Sequence, residues 1–116
     1  MVNLLQSLPS LSSNGSVFLN KLYSDVLEAA NLSGEMVWRL PFHHDFKDLL
    51  KSNFADISNS VSDPRGGSSR AACFLKEFTH NKPYVHFDVA GTADKGHVGS
   101  AIMLHTFYNL IKNKKF

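Results

Sequence analysis

Tyr84-Val85-His86-Phe87-Asp88-Val89 places Val85, Phe87 and Val89 on one face and His86 and Asp88 on the other. A period of two over six residues is the pattern of a half-buried strand. Ala90-Gly91-Thr92 ends the run abruptly, and Asn81 to Pro83 separates it from what precedes. One other segment reads as extended. Met36-Val37-Trp38-Arg39-Leu40 runs into Pro41, and proline disfavours helix in the residue before it. Two strands do not make a stable free-standing sheet. The expected class is therefore α/β, with helices packed on an incomplete sheet.

The helices lie outward from these strands. Phe18, Leu22, Val26, Ala29 and Ala30, widened by Leu19, Tyr23 and Leu27, recur at helical spacing and stop near Ser33-Gly34. Ser16 is placed to cap this helix, and residues 1–15 read as a loose leader. A short helix is expected after Pro41, with Phe46, Leu49 and Leu50 inward, Asp45 and Asp48 near its start and Lys51 near its end. Asp63-Pro64-Arg65-Gly66-Gly67 is a turn cluster. Ala71, Ala72, Leu75 and Phe78 mark the next helix. Gly96 and Gly99 bracket a loop, and Ile102, Leu104, Phe107, Tyr108 and Ile111 mark a last helix. No repeat is present.

The chain has 116 residues, 43% hydrophobic and 19% charged, which suits one small globular domain and argues against general disorder. A net charge of +2 is too small to argue for nucleic acid. Lys112, Lys114 and Lys115 gather at the end, where cations suit a helix C-terminus. No stretch is long enough to span a bilayer, and residues 1–12 lack the basic start and apolar run of a signal peptide. Cys73 is the single cysteine, so no internal disulfide forms. A reducing, cytoplasmic setting is expected, with Cys73 a buried, inert thiol among Ala71, Ala72, Phe74 and Leu75.

The residue chemistry is sparse. Six histidines are present: His43, His44, His80, His86, His97 and His105. A metal site needs about three or four converging ligands. In His43-His44-Asp45 neighbouring side chains diverge, so the cluster favours a surface role over a metal. His86 and Asp88 share a strand face near its C-terminal end, where ligands bind in open α/β sheets; a simple strand-end hydrogen bond is the plainer reading. Gly66-Gly67 before a helix either exposes amides to an anion or permits a tight turn and close packing, the latter being preferred. Trp38 and Tyr84 stand next to apolar residues and read as core. No serine stands in a nucleophile elbow, and Gly91 to Gly99 does not match a nucleotide fingerprint.

A set of ordered blocks carries a stronger signal. Gly34-Glu35-Met36-Val37-Trp38-Arg39-Leu40-Pro41 resembles the Gly-Glu-x-Val-Trp-Arg-Leu-Pro of the leucyl (cytosol) aminopeptidases. Leu50-Lys51-Ser52 and Ala55-Asp56-Ile57-Ser58-Asn59 follow at the matching interval. Gly66-Gly67 leads into Ala71-Ala72-Cys73-Phe74-Leu75-Lys76-Glu77-Phe78, similar to that family's alanine-rich helix ending Phe-Leu-x-x-Phe. His86-Phe87-Asp88-Val89-Ala90-Gly91-Thr92-Ala93 is similar to its His-Leu-Asp-Ile-Ala-Gly-Thr-Ala. The resemblance runs from about Ser13 to Ile111, the end of the catalytic domain, so residues 16–116 are expected to form a partial catalytic domain.

The resemblance implies a two-metal exopeptidase that releases N-terminal residues from peptides. Two divalent ions, manganese or zinc, polarise the scissile carbonyl and activate water. The family's ligands include an Asn-Thr-Asp-Ala-Glu-Gly-Arg motif, whose arginine also supports catalysis. This sequence contains no such motif, and residues 1–12 do not match the family's Thr-Leu-Thr-Gly strand. The expectation is that no metal ligand and no catalytic residue lies in this chain, that it binds no cofactor and that it is inactive alone. Ala90, Gly91, Thr92 and Ala93 match the loop that lines the pocket for the substrate's first side chain. Implied partners are a peptide substrate, an upstream half or a hexamer of copies, with no nucleic acid and no membrane. The alternative is a non-catalytic protein-interaction module derived from the same domain. Gly99-Ser100-Ala101-Ile102-Met103 departs from the pattern, because Met103 stands where the family has an arginine.

Overall fold

The computed structural model describes residues 2–6, 13–43 and 45–113. In chain order the elements are β1 (Val2–Gln6), α1 (Ser13–Ser33), β2 (Val37–Leu40), α2 (Asp45–Asp48), α3 (Gly67–Lys76), β3 (Val85–Asp88), β4 (Asp94–Lys95), β5 (Val98–Gly99) and α4 (Leu104–Asn113). A 3-10 turn, Glu77–Thr79, extends α3. The α/β class and the incomplete sheet expected from the sequence are both present.

Among the described residues the main sheet has three strands in the order β2-β1-β3. β1 runs parallel to β2, with Val2 opposite Val37 and Leu5 opposite Leu40. It runs antiparallel to β3, with Asn3 opposite Asp88 and Gln6 opposite Val85. This corrects the reading of residues 1–15 as a loose leader, since Val2–Gln6 forms the middle strand and Ser13 opens α1. A middle strand is specified by partners far along the chain, and its sequence need not alternate. Residues 7–12 of the expected leader lie outside the described residues.

Alternation along β3 sends its two faces to different helices. Phe87 meets Phe107 of α4 edge to face, with ring centroids 5.1 Å apart. On the opposite face Asp88 is bonded to Ser68 of α3. Arg39 of β2 lies over the Tyr23 ring of α1, 4.7 Å from its centroid, and α1 packs along α4. The sheet thus has α1 and α4 on one side and α3 on the other. Among the described residues the buried apolar side chains are Val26, Ala29 and Ala30 of α1, Ala72 and Cys73 of α3, Leu50, and Met103 at the entry to α4. Small residues let the helices approach closely.

Gly34 ends α1 in the left-handed conformation, φ 66°, while Glu35 N–H donates to Ala30 O. That is the expected glycine C-cap. β4 and β5 form a hairpin where the sequence reading placed a loop. Its turn residues Gly96 and His97 both have positive φ, 55° and 73°, as a two-residue hairpin turn requires.

Three packing expectations are corrected. Trp38 is 59% exposed, because it alternates with Arg39 and so stands on the far side of an edge strand from α1. Leu75 and Phe78 are exposed, and α3 instead buries Ser69, Ala72 and Cys73. In the short helix Leu50 is buried and Phe46 half-buried, but Leu49 faces out.

Candidate functional site

The C-terminal end of β3 and the turn after it form the best-defined polar arrangement that includes residues singled out from the sequence. Asp88 is its centre. One carboxylate oxygen accepts from the Ser68 hydroxyl, in the first turn of α3. The other accepts from the Ala90 backbone N–H at 3.0 Å. The Ser68 hydroxyl and the Ala90 amide hold the Asp88 carboxyl below the usual aspartate range. Burial opposes this and the His86 charge assists it. His86 lies on the same face, and burial pushes its imidazole below the ordinary histidine value, opposed by the Asp88 charge. The expected His86–Asp88 pair is thus an electrostatic neighbour, while the hydrogen bonds of Asp88 go to Ser68 and Ala90.

The turn itself is held at several points. Thr92 donates to Val89 O through its amide at 2.9 Å and through its hydroxyl at 2.8 Å. Ala93 N–H reaches the same carbonyl at 3.0 Å. Gly91 supplies the left-handed φ of 75° that closes the turn. Ser100 ties down the far side, donating its amide to Ala93 O at 2.8 Å and its hydroxyl to Thr92 O at 2.6 Å. Ala90, Gly91 and Ala93 are exposed and Thr92 is half-buried. The structure therefore brings Ala90, Gly91, Thr92 and Ala93 together as an open shelf of small side chains on a fixed backbone. The shelf's side chains include the Thr92 hydroxyl but no carboxylate, imidazole, amine or thiol.

The other candidates lie apart from it. His43 Nδ1 and Asp45 Oδ2 are 3.1 Å apart on the surface, and His44 lies outside the described residues. His80 and His97 sit in turns with positive φ, and His105 is exposed on α4. Among the described residues, no three or more His, Cys, Asp or Glu side chains converge on a point that would hold a metal ion. These residues do not fit a two-metal centre. Cys73 is buried, and burial, with the Glu77 charge, pushes its thiol up to about 11, against the opposing pull of Lys47. It is an inert core thiol at neutral pH. Tyr84 is half-buried, and burial pushes its phenol up to about 12. Lys112 lies in the last turn of α4, 5.7 Å from the Tyr108 ring centroid, while Lys114 and Lys115 lie outside the described residues.

Gly66 precedes α3 with φ 60°, and a Cβ there would stand 2.4 Å from the Phe46 ring. The glycine thus serves the turn and close packing. Asp63 fixes the loop before it, accepting from the Arg65 amide and from Arg65 Nε, both at 2.9 Å. Arg70 of α3 donates to the Asp63 carbonyl.

Sequence reasoning missed Glu35. Its carboxylate reaches the start of α4, accepting from Met103 N–H at 2.8 Å, Thr106 N–H at 2.9 Å and the Thr106 hydroxyl at 2.7 Å. These partners are 68 and 71 positions away, so no local pattern announces them. Burial alone raises the Glu35 pKa, but the Thr106 and Met103 hydrogen bonds and the His105 charge outweigh it and leave it below 4.5. Met103, which stands where the resembled family has an arginine, is 1% exposed with φ 70°.

Comparison with known proteins agrees with the fold. The sequence profile of the cytosol aminopeptidase family, catalytic domain, matches residues 6–107. The chain is 42% identical over 96 residues to a probable cytosol aminopeptidase of Metamycoplasma salivarium, covering 82% of this chain and 18% of that protein. It is 39% identical over 111 residues to one of Alkaliphilus oremlandii, covering 90% and 21%. A mutant of tomato leucine aminopeptidase superposes with a TM-score of 0.80 at 26% identity, over 97% of this chain and 21% of that one. The chain thus spans about a fifth of the length of these relatives.

Proposed function

The chain belongs to the cytosol aminopeptidase family, of whose catalytic domain it is a fragment, and from that membership we propose that it supplies the substrate-side-chain shelf of a two-metal aminopeptidase. The reaction would be release of N-terminal residues from peptides. Two divalent ions, held by residues outside the described set, would supply the polarisation of the scissile carbonyl and the activation of water. No step of that chemistry is assigned to a side chain here, because the described residues contain no set fit to hold the ions. The part taken by this chain is positional: Ala90 to Ala93 present small side chains on a backbone held by Asp88, Val89 and Ser100. The observation that carries this reading is the fixed shelf at the end of β3, in a fold that superposes on a leucine aminopeptidase. The chain is inactive alone and acts with the remaining part of a catalytic domain, in the cytoplasm, as part of an oligomer such as a hexamer. The relatives' names, cytosol aminopeptidase, support the location, and no helix among the described residues is long and apolar enough to cross a membrane.

The test is hydrolysis of a leucine anilide by the purified chain, with manganese or zinc added, alone and with the upstream part of a related aminopeptidase. The expected outcome is no turnover alone and metal-dependent turnover with the added part. Metal-dependent turnover that tracks with the chain alone would overturn the assignment and direct the search for ligands to His43, His44, Asp45, His86 and Asp88.

A second reading is a non-catalytic interaction module. The observation in its favour is the exposed apolar stripe of α4, Leu104, Phe107, Tyr108 and Ile111. A free chain that is monodisperse, melts cooperatively and never complements an upstream part favours this reading.

A further inference from the structure

Asp88 bridges two elements that approach from different parts of the chain. Ser68 belongs to the first turn of α3, and Ala90 opens the turn after β3. One carboxylate oxygen takes the Ser68 hydroxyl and the other takes the Ala90 amide. A carboxylate accepting two hydrogen bonds in fixed directions sets both the distance and the orientation between its donors. Val89 O, which follows immediately, accepts from Thr92 and Ala93. Movement of Asp88 would therefore shift the start of the shelf and the carbonyl that closes it together. The side chains of Ala90, Gly91 and Ala93 are too small to hold the turn by packing, so hydrogen bonds carry that task.

We propose that Asp88, clamped by Ser68, is a positioning residue that sets the backbone of Ala90–Ala93 and thereby the fit of the substrate's N-terminal side chain. This rests on the shelf reading above and names the device that governs it. It also explains why an aspartate, rather than an apolar residue, ends β3. Its carboxylate gives one oxygen to the hydroxyl at the helix start and one to the turn amide, both as charge-assisted bonds. An asparagine in its place could keep its oxygen on the Ala90 amide and donate to the Ser68 hydroxyl, but it would lose the charge-assisted strength of both bonds.

The test uses the full chain carrying Ser68→Ala, Ser68→Thr or Asp88→Asn. Amide hydrogen exchange is followed at Ala90, Thr92 and Ala93 in the chain alone. Turnover of leucine and glycine anilides is followed with the upstream part of a related aminopeptidase and manganese. Asp88→Asn is expected to speed exchange at these amides about tenfold and Ser68→Ala about threefold, with Ser68→Thr close to the parent. In the assembly, KM for the leucine substrate rises at least fivefold in Asp88→Asn, with kcat changed less than twofold and the glycine substrate little affected. Unchanged exchange and unchanged leucine preference in a folded Asp88→Asn chain overturn the proposal. If that variant does not fold, Ser68→Ala against Ser68→Thr decides by the same readings. Faster exchange in the chain alone, together with an assembly that never turns over, retires the shelf's role in turnover while upholding the clamp. Turnover with unmoved preference does the reverse.

Discussion

At the scale of single residues, two positions bear weight that their chemistry makes testable. Gly66 combines a left-handed φ of 60° with the Phe46 ring where a side chain would go. Gly66→Ala adds backbone strain and a clash, and is expected to lower stability by about 1–3 kcal/mol, read from the urea midpoint. An unchanged midpoint would mean that Phe46 moves aside without loss. Glu35 presents one carboxylate to three donors. Glu35→Gln turns an amide donor toward one of them and is expected to cost about 2–3 kcal/mol. The folded pKa of Glu35 lies below its ordinary value of 4.5. Its stabilising contribution is therefore fully present above that value and is lost as pH falls through the lower, folded value. An acid titration of stability in the parent and in Glu35→Gln should differ in this window, the parent losing more. Parallel curves would remove Glu35 from the account.

At the scale of elements, α4 behaves as two helices in one. Its entry and inner face, Met103 and Thr106, are buried, and Asn109 donates to Ser33 Oγ of α1 at 2.9 Å. Its other face carries Leu104, Tyr108 and Ile111, which are 59–61% exposed, while Phe107, 41% exposed, keeps one edge on Phe87. The sequence reading took this apolar stripe as the face that makes the helix, which it does, but apolar spacing alone does not say what the stripe packs on. Leu104→Lys and Ile111→Lys are expected to change the free chain's stability by no more than about 0.5 kcal/mol. Met103→Ala, which empties a buried site, is expected to cost about 2–4 kcal/mol. Chemical denaturation of the three variants checks both statements. A large loss in the lysine variants would mean that the outer stripe is already covered in solution.

At the scale of the whole molecule, the three-stranded sheet and four helices of the described residues leave several large apolar side chains facing solvent, among them Trp38, Phe54 and Phe78. A partner that binds only the folded chain stabilises it by mass action. If the chain completes an aminopeptidase domain, the upstream part of a relative should raise its melting temperature in a concentration-dependent way. A melting temperature indifferent to that part at any concentration argues for the interaction-module reading instead.

Local structure is legible in short-range patterns of residues. Alternation named β3, three- and four-residue spacing named α1 and α4, and Gly34 marked the end of α1 because only glycine takes that φ without strain. Ordered blocks from Gly34 to Ala93 also carried the family resemblance, since contiguous residues preserve it without any knowledge of contacts. Chain packing set the rest: Val2–Gln6 as the middle strand, the outward faces of Trp38, Leu104, Tyr108 and Ile111, and the joins that Glu35 and Asp88 each make between two elements. These depend on which distant segments meet. A period along the chain records that a face is apolar or that a residue is charged, but its partner is fixed by packing.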